Sequence, residues 1–175
     1  MNISKNGKLE IASYEGLMTK AYYDSVKVLT IGIGHTNVDN KVDMTLGKEY
    51  TIQQMIDLFN KDIQRYVDSV NKSLTVKISQ SQFDALVSFQ YNTGGFGRST
   101  LKSRINSSGS AQSIFDAFLM WNKPKEIIGR RTNEANLYRY GKYTNKGTTV
   151  FRDVDNKGNI LWKTAKNIDI SKYFS

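Results

Sequence analysis

The spacing of apolar residues divides the chain into a short helix, a strand-rich stretch, a run of helices and an alternating terminal segment. Leu9 and Ala12 share one face of a first helix, with Ser4 at its N-cap and Gly16 as the residue that ends it. Tyr22, Tyr23, Val26, Val28, Leu29 and Ile31 follow, all types that favour strands, and Gly32 and Gly34 let the chain bend or a second group approach closely. Residues 37–50 read as a loop or short strands broken at Gly47. A capping box of Thr51 and Gln54 then opens a long helix, whose Met55, Phe59, Ile63, Tyr66 and Val70 recur at steps of three and four.

Ser79 and Gln82 repeat that box before Phe83, Leu86, Val87 and Tyr91. The helix is predicted to stop at Asn92, ahead of a turn containing Gly94, Gly95 and Gly97. Ser110 caps a further helix carrying Ile114, Phe115, Phe118 and Leu119, with Trp121 near its end. Pro124, the only proline, marks the next boundary, and IIGRRTNEANLYRY reads as helical. The stretch GTTVFRDVDNKGNILWKT alternates, which predicts a hairpin near 148–164 turning at Asp155-Asn156-Lys157-Gly158. The tail NIDISKYFS carries no readable pattern.

Composition narrows the class. At 175 residues the chain suits one domain, with room for two lobes, and 39% hydrophobic content supports a packed core. With no cysteine and a single histidine, thiol chemistry, disulfides and a multi-histidine zinc centre are excluded. A net charge of +9 fits a solvated surface, an anionic polymer such as a bacterial envelope, or nucleic acid, and does not choose among them. Neither a signal-peptide core nor a stretch near the ~20 apolar residues of a membrane span is legible, so the expected start is the cytoplasm.

Three residues stand out chemically. Glu15 falls in the last turn of the first helix, where the dipole disfavours a negative charge, which suits a group that donates a proton. Asp24 follows nine positions on and Thr30 six further. Alone they read as a helix-end glutamate, a turn aspartate and a strand threonine; together they are the parts for splitting a glycosidic bond with water. His35 reads as a structural hydrogen-bonding histidine and is also held as a substrate-binding candidate, as is Thr100. Arg130 and Arg131 offer saccharide contact or, more simply, a solvated or carboxylate-paired helix face. The glycines at 94–97 fit no phosphate loop, and D-V-D-N-K-G lacks calcium ligands, since Lys157 and Thr164 stand at ligand positions. Phe151 and Trp162 could form a small sugar-stacking platform or pack against the larger lobe.

The run EGLMTKAYYDSVKVLTIGIGH resembles the phage-type lysozymes, the endolysins related to T4 lysozyme, in which a Glu-Gly pair closes the first helix and Asp, Thr and a T-I-G-x-G-H run follow at these intervals. QFDALVSFQYNTGGFGRSTL and the Gly-Arg-Arg…Glu…Leu-Tyr pattern are similar to further family signatures, and the resemblance covers about residues 4–145. It implies an α+β, mostly helical, two-lobed lysozyme fold: a small β-containing lobe over about 1–50, a connecting helix over about 51–78, a helical lobe over about 79–175 and a substrate cleft between the lobes. It further implies a muramidase acting on the β-1,4 bond between N-acetylmuramic acid and N-acetylglucosamine of peptidoglycan. Glu15 would be the general acid, Asp24 and Thr30 would position water, and neither metal nor cofactor is needed. A monomer released by a holin-type partner, with no specific nucleic-acid target, completes that expectation. The family often has a glycine where Lys27 stands, so the turn after Asp24 is expected to hold a lysine at some conformational cost. A peptidoglycan-gripping module without strong activity and a basic nucleic-acid-binding protein are the alternatives; for the latter no recognition helix or RNA-binding aromatic signature is present.

Overall fold

The structure is a computed structural model describing residues 1–37 and 42–174; part of the 37–50 segment and the last residue of the tail lie outside the described residues. Helices α1 (Lys5–Glu15), α2 (Ile52–Asp62), α3 (Gln64–Ser73), α4 (Gln80–Thr93), α5 (Thr100–Asn106), α6 (Ala111–Leu119) and α7 (Ile128–Tyr140) are joined by strands β1 (Met18–Tyr23), β2 (Leu29–Gly32), β3 (His35–Thr36), β4 (Thr148–Phe151) and β5 (Lys166–Asp169). Two compact units result. One combines Met1–Ile11 with Gln64–Thr144, the other Ala12–Ile63 with Asn145–Ser175. This differs from the expected partition: the start of the chain belongs with the helices, and the terminal segment belongs with the N-terminal sheet.

The helical unit is organised on α4, whose residues from Phe83 to Gln90 are all buried, as befits a helix surrounded by others. Its capping box forms as the sequence predicts, with Ser79 accepting from the Gln82 N–H and the Gln82 side chain accepting from the Ser79 N–H. Phe89 meets Phe118 and Trp121 edge-on, with ring centroids 5.6 and 5.4 Å away. Gly95 is required here because a side chain would collide with the Trp121 ring, 2.2 Å from the position of an added Cβ.

In the second unit β1, β2 and β3 form an antiparallel sheet in that order, with Tyr22 opposite Thr30 and Thr30 opposite Thr36. The β1–β2 pairing is irregular between Met18 and Tyr22. There the Thr19 carbonyl accepts from the Tyr50 N–H and Lys20 bridges Glu49, so the segment before α2 joins the opposite edge of β1. The expected long helix over 51–78 is two helices with Ile63 as a turn residue between them, and residues 74–78 are not helical. Met55, Phe59, Ile63 and Val70 are buried as predicted, but Val67 rather than Tyr66 completes the stripe.

The terminal hairpin turns where expected. Asp155 accepts from the Lys157 and Asn159 N–H groups, and Val154 bridges Ile160. Its strands nevertheless run further, pairing Thr148–Phe151 with Lys166–Asp169, so the tail without a sequence pattern supplies β5. The hairpin is fastened to the chain beside β1: Leu17 donates to the Val150 carbonyl at 2.9 Å and accepts from the Arg152 N–H at 3.3 Å. Val154 and Ile160 then pack with Met18 and Tyr22 in a small apolar cluster.

Candidate active site

Glu15 is the last residue of α1, and Gly16 turns the chain into β1 at φ 77°. Only glycine serves well there. The conformation is left-handed, and an added Cβ would stand 3.1 Å from the Val150 carbonyl oxygen. Close approach of β4 therefore fixes the exit of the helix, leaving Glu15 half-buried at its end.

Asp24 opens the β1–β2 turn and is also its clamp. Its Oδ1 accepts from the N–H groups of Val26 and Val28 at 2.9 and 2.8 Å, and its own N–H donates to the Val28 carbonyl. Lys27 takes φ 65°, the left-handed position a glycine would fill, and its N–H donates to the Asp24 carbonyl at 3.0 Å. The turn closes with the lysine in place. Among the described residues Oδ2 of Asp24 receives no protein hydrogen bond.

Thr30 is 3% exposed and its hydroxyl donates to the Val28 carbonyl at 3.1 Å. It pairs across the sheet with Tyr22, whose phenol is pushed well above its ordinary value. Burial is the main cause, the charges of Glu15 and Asp24 add to it, and Arg152 opposes. One buried phenol thus feels both carboxylates.

Glu15, Tyr22 and Asp24 line a single cavity of about 460 Å³. Arg152, Asn159 and Trp162 of the terminal hairpin form another part of its wall. Of these, Trp162 carries a stacking-or-packing signal in the sequence, whereas Arg152 and Asn159 carry none and join the site only through the fold. Trp162 is 68% exposed, so it is not consumed by packing, whereas Phe151 is partly buried with the Lys166 ammonium 5.3 Å from its ring centre.

The remaining candidates lie elsewhere. His35 is buried, with Nδ1 2.6 Å from Oδ2 of Asp62, so it ties β3 to α2 and lines no part of this cavity. Thr100 is exposed at the first position of α5, in the helical unit. Arg130 and Arg131 are buried, not solvated: both pair with Glu134, Arg131 also donates to Asn92, and saccharide contact by Arg131 is excluded by its 0% exposure. The signal for this was the i, i+4 spacing of Arg130 and Glu134. No group of three or more metal-ligating side chains occurs among the described residues.

Residues 12–134 match the phage lysozyme family model, about seven-tenths of the chain, and the protein belongs to that family. The endolysin of Bacillus phage B103 is 37% identical over 188 residues, covering 98% of this chain and 70% of that protein. The endolysin of Salmonella phage P22 is 34% identical over 144 residues, 79% of this chain and 98% of its own length. Among solved structures, the endolysin from Escherichia coli O157:H7 phage FAHEc1 aligns with a TM-score of 0.75 at 33% identity, over 82% of this chain and 97% of that one. A mutant of P22 lysozyme aligns at 0.71 and 32% identity, over 79% and 98%. The two-unit, mostly helical arrangement with small antiparallel sheets is therefore a lysozyme fold. The family model ends before the hairpin that carries Arg152 and Trp162.

Proposed function

We propose that the protein hydrolyses the β-1,4 bond between N-acetylmuramic acid and N-acetylglucosamine with inversion, using Glu15 as acid and Asp24 with Thr30 to direct water. That it is a peptidoglycan-hydrolysing endolysin, and so a glycoside hydrolase, follows from its family and fold. The residue roles rest on one observation above all: Glu15 and Asp24 line the same cavity.

Protonated Glu15 donates to the glycosidic oxygen as the bond to C1 breaks. A water held by the open oxygen of Asp24 attacks C1 from the opposite ring face and gives its proton to that carboxylate. The products are an inverted hemiacetal and an alcohol; Asp24 releases the proton it took to solvent, and solvent reprotonates Glu15, which restores both groups. Inversion needs the two carboxyl groups about 6.5–9.5 Å apart, enough for the water. Thr30 supplies a hydroxyl on the Tyr22 side of the sheet that bonds the Val28 carbonyl, the same carbonyl that accepts the Asp24 N–H. The enzyme acts as a monomer, and a separate holin-type protein opens the membrane for it. No helix among the described residues is long and apolar enough to cross one.

Release of reducing ends from purified peptidoglycan, wild type beside Glu15→Gln, tests the assignment. Release by the wild type alone is expected; near-normal release by the variant removes Glu15 from the acid role. The anomer formed first, followed by NMR, decides the stereochemistry, and a retained configuration overturns the water-directing role of Asp24.

A further inference from the structure

We infer that the terminal hairpin, outside the matched family segment, forms a saccharide subsite in which Arg152 binds a carboxylate carried by the muramyl residue and Trp162 stacks on a sugar ring. The inference deepens the function proposed above and rests on that reading for the identity of the polymer.

Three observations converge on the hairpin. It is built into the acid's own support rather than appended to it. Leu17, two residues after Glu15, exchanges hydrogen bonds with Val150 and Arg152, and Tyr23, just before Asp24, donates to the Gly158 carbonyl at 3.0 Å. The hairpin therefore braces β1 at both ends, beside one carboxylate and then the other. Gly158 permits this closeness, because it takes φ 82° and an added Cβ would stand 3.1 Å from the Tyr23 ring.

The second observation is chemical. The Arg152 guanidinium lies 5.1 Å from the Trp162 ring centre, and both line the cavity with Glu15 and Asp24. Among the described residues Arg152 makes no ion pair and its shielded Nε has no hydrogen-bond partner, in contrast to Arg130 and Arg131, which share Glu134. An arginine held by stacking but not neutralised keeps its fork of donors for a planar anion.

The third is exposure. Trp162 is the most exposed tryptophan or tyrosine in the chain at 68%, while sitting on a cavity wall, and a flat aromatic face with polar neighbours suits a pyranose ring. Of the sugars in the polymer only the muramyl residue bears a carboxyl group. That carboxylate is the lactyl group itself in peptide-free strands, and belongs to the stem peptide in intact wall.

Binding is measured in a Glu15→Gln background, so that turnover does not enter, by titration calorimetry. The ligands are peptide-free glycan strands and peptide-bearing muropeptide fragments, each before and after amidation of its carboxyls. Adding Arg152→Gln is expected to weaken binding about tenfold on a carboxylate-bearing ligand, and this difference vanishes on the amidated form. Arg152→Lys recovers part of the loss, since charge remains without the fork. The arm that shows the effect identifies the source of the carboxylate. Trp162→Ala is expected to weaken all four ligands, and its exposure keeps the fold intact. Equal weakening by Arg152→Gln on amidated and native ligands, or no weakening at all, overturns the carboxylate site; unchanged binding by Trp162→Ala overturns the stacking site. Wild-type protein that releases no reducing ends while the Arg152 dependence stands would sink the enzymatic reading and leave the subsite.

Discussion

Asp24 and Thr30 are joined through a single residue: Val28 donates its N–H to the Asp24 carboxylate at 2.8 Å and its carbonyl accepts from the Thr30 hydroxyl at 3.1 Å. The two residues assigned to the water therefore share one support. Asparagine can accept the same Val26 and Val28 N–H groups through its amide oxygen, so Asp24→Asn keeps the turn and removes only the charge. We expect kcat to fall about 10²–10³-fold with stability changed by less than about 1 kcal/mol. Thr30→Ala leaves the Val28 carbonyl without that donor and is expected to lower kcat about tenfold or more. Single-turnover rates on soluble glycan strands measure both, and full rate in both variants would refute the water-directing assignment.

Lys27 occupies a left-handed position that costs a side-chain-bearing residue about 1–2 kcal/mol. Lys27→Gly relieves this but adds freedom to the unfolded chain, an opposing effect of about 0.4–1 kcal/mol. The balance is a small stabilisation, seen as a rise in Tm of up to about 4 °C for a protein of this size. A fall of several degrees would show that the lysine side chain contributes contacts beyond the turn.

The two turns at Asp24 and Asp155, both capping boxes and the glycine ending α1 were legible because each is a local device, complete within five residues of sequence. What escaped was non-local. The strand Lys166–Asp169 is mostly exposed and shows no alternation, so its place is set by backbone pairing with Thr148–Phe151, which composition does not encode. Arg152 looked like any basic residue in an exposed hairpin, and became part of the site only through the bonds that fasten β4 beside Leu17. Arg130 and Arg131 are carboxylate-paired, one of the two simple readings of that helix face, but their burial was not legible: charge implies a surface, yet Glu134, Ser88 and Asn92 supply enough partners to bury both.

That buried cluster makes a further prediction. Glu134 accepts from Ser88 at 2.6 Å and from Arg130 Nε at 3.0 Å and pairs with Arg131, which lies over the Phe89 ring. Burial pushes its carboxyl upward, and the two guanidinium groups and Ser88 oppose that. Glu134→Gln leaves two buried cations poorly neutralised and is expected to cost about 3–5 kcal/mol in urea unfolding. Replacing Arg131 and Glu134 together by methionine and leucine should cost less than the single change. A single-variant loss below about 1 kcal/mol would mean that the cluster does not hold the helical unit together.

Asp84, 0% exposed on α4, gathers Ser4, Gln80 and Tyr143, and so fixes the start of α1 and the segment after α7 to the same helix. The Tyr143 hydroxyl donates to Oδ2 of Asp84 at 2.6 Å, and burial followed by this bond pushes its phenol up to about 12. In the unfolded chain the phenol ionises near about pH 10. A group whose folded value is raised adds stability that is fully present below the unfolded value and is lost as pH rises through the folded one, here between about pH 10 and 12. Tyr143→Phe removes that contribution. We expect it to cost about 1–2 kcal/mol at neutral pH, measured by urea unfolding, and the gap to the wild type to narrow above about pH 10. Taking the difference between the two proteins cancels the other tyrosines and the lysines, which titrate in both. A gap that stays constant up to about pH 11.5 would show that the phenol does not hold its proton for Asp84.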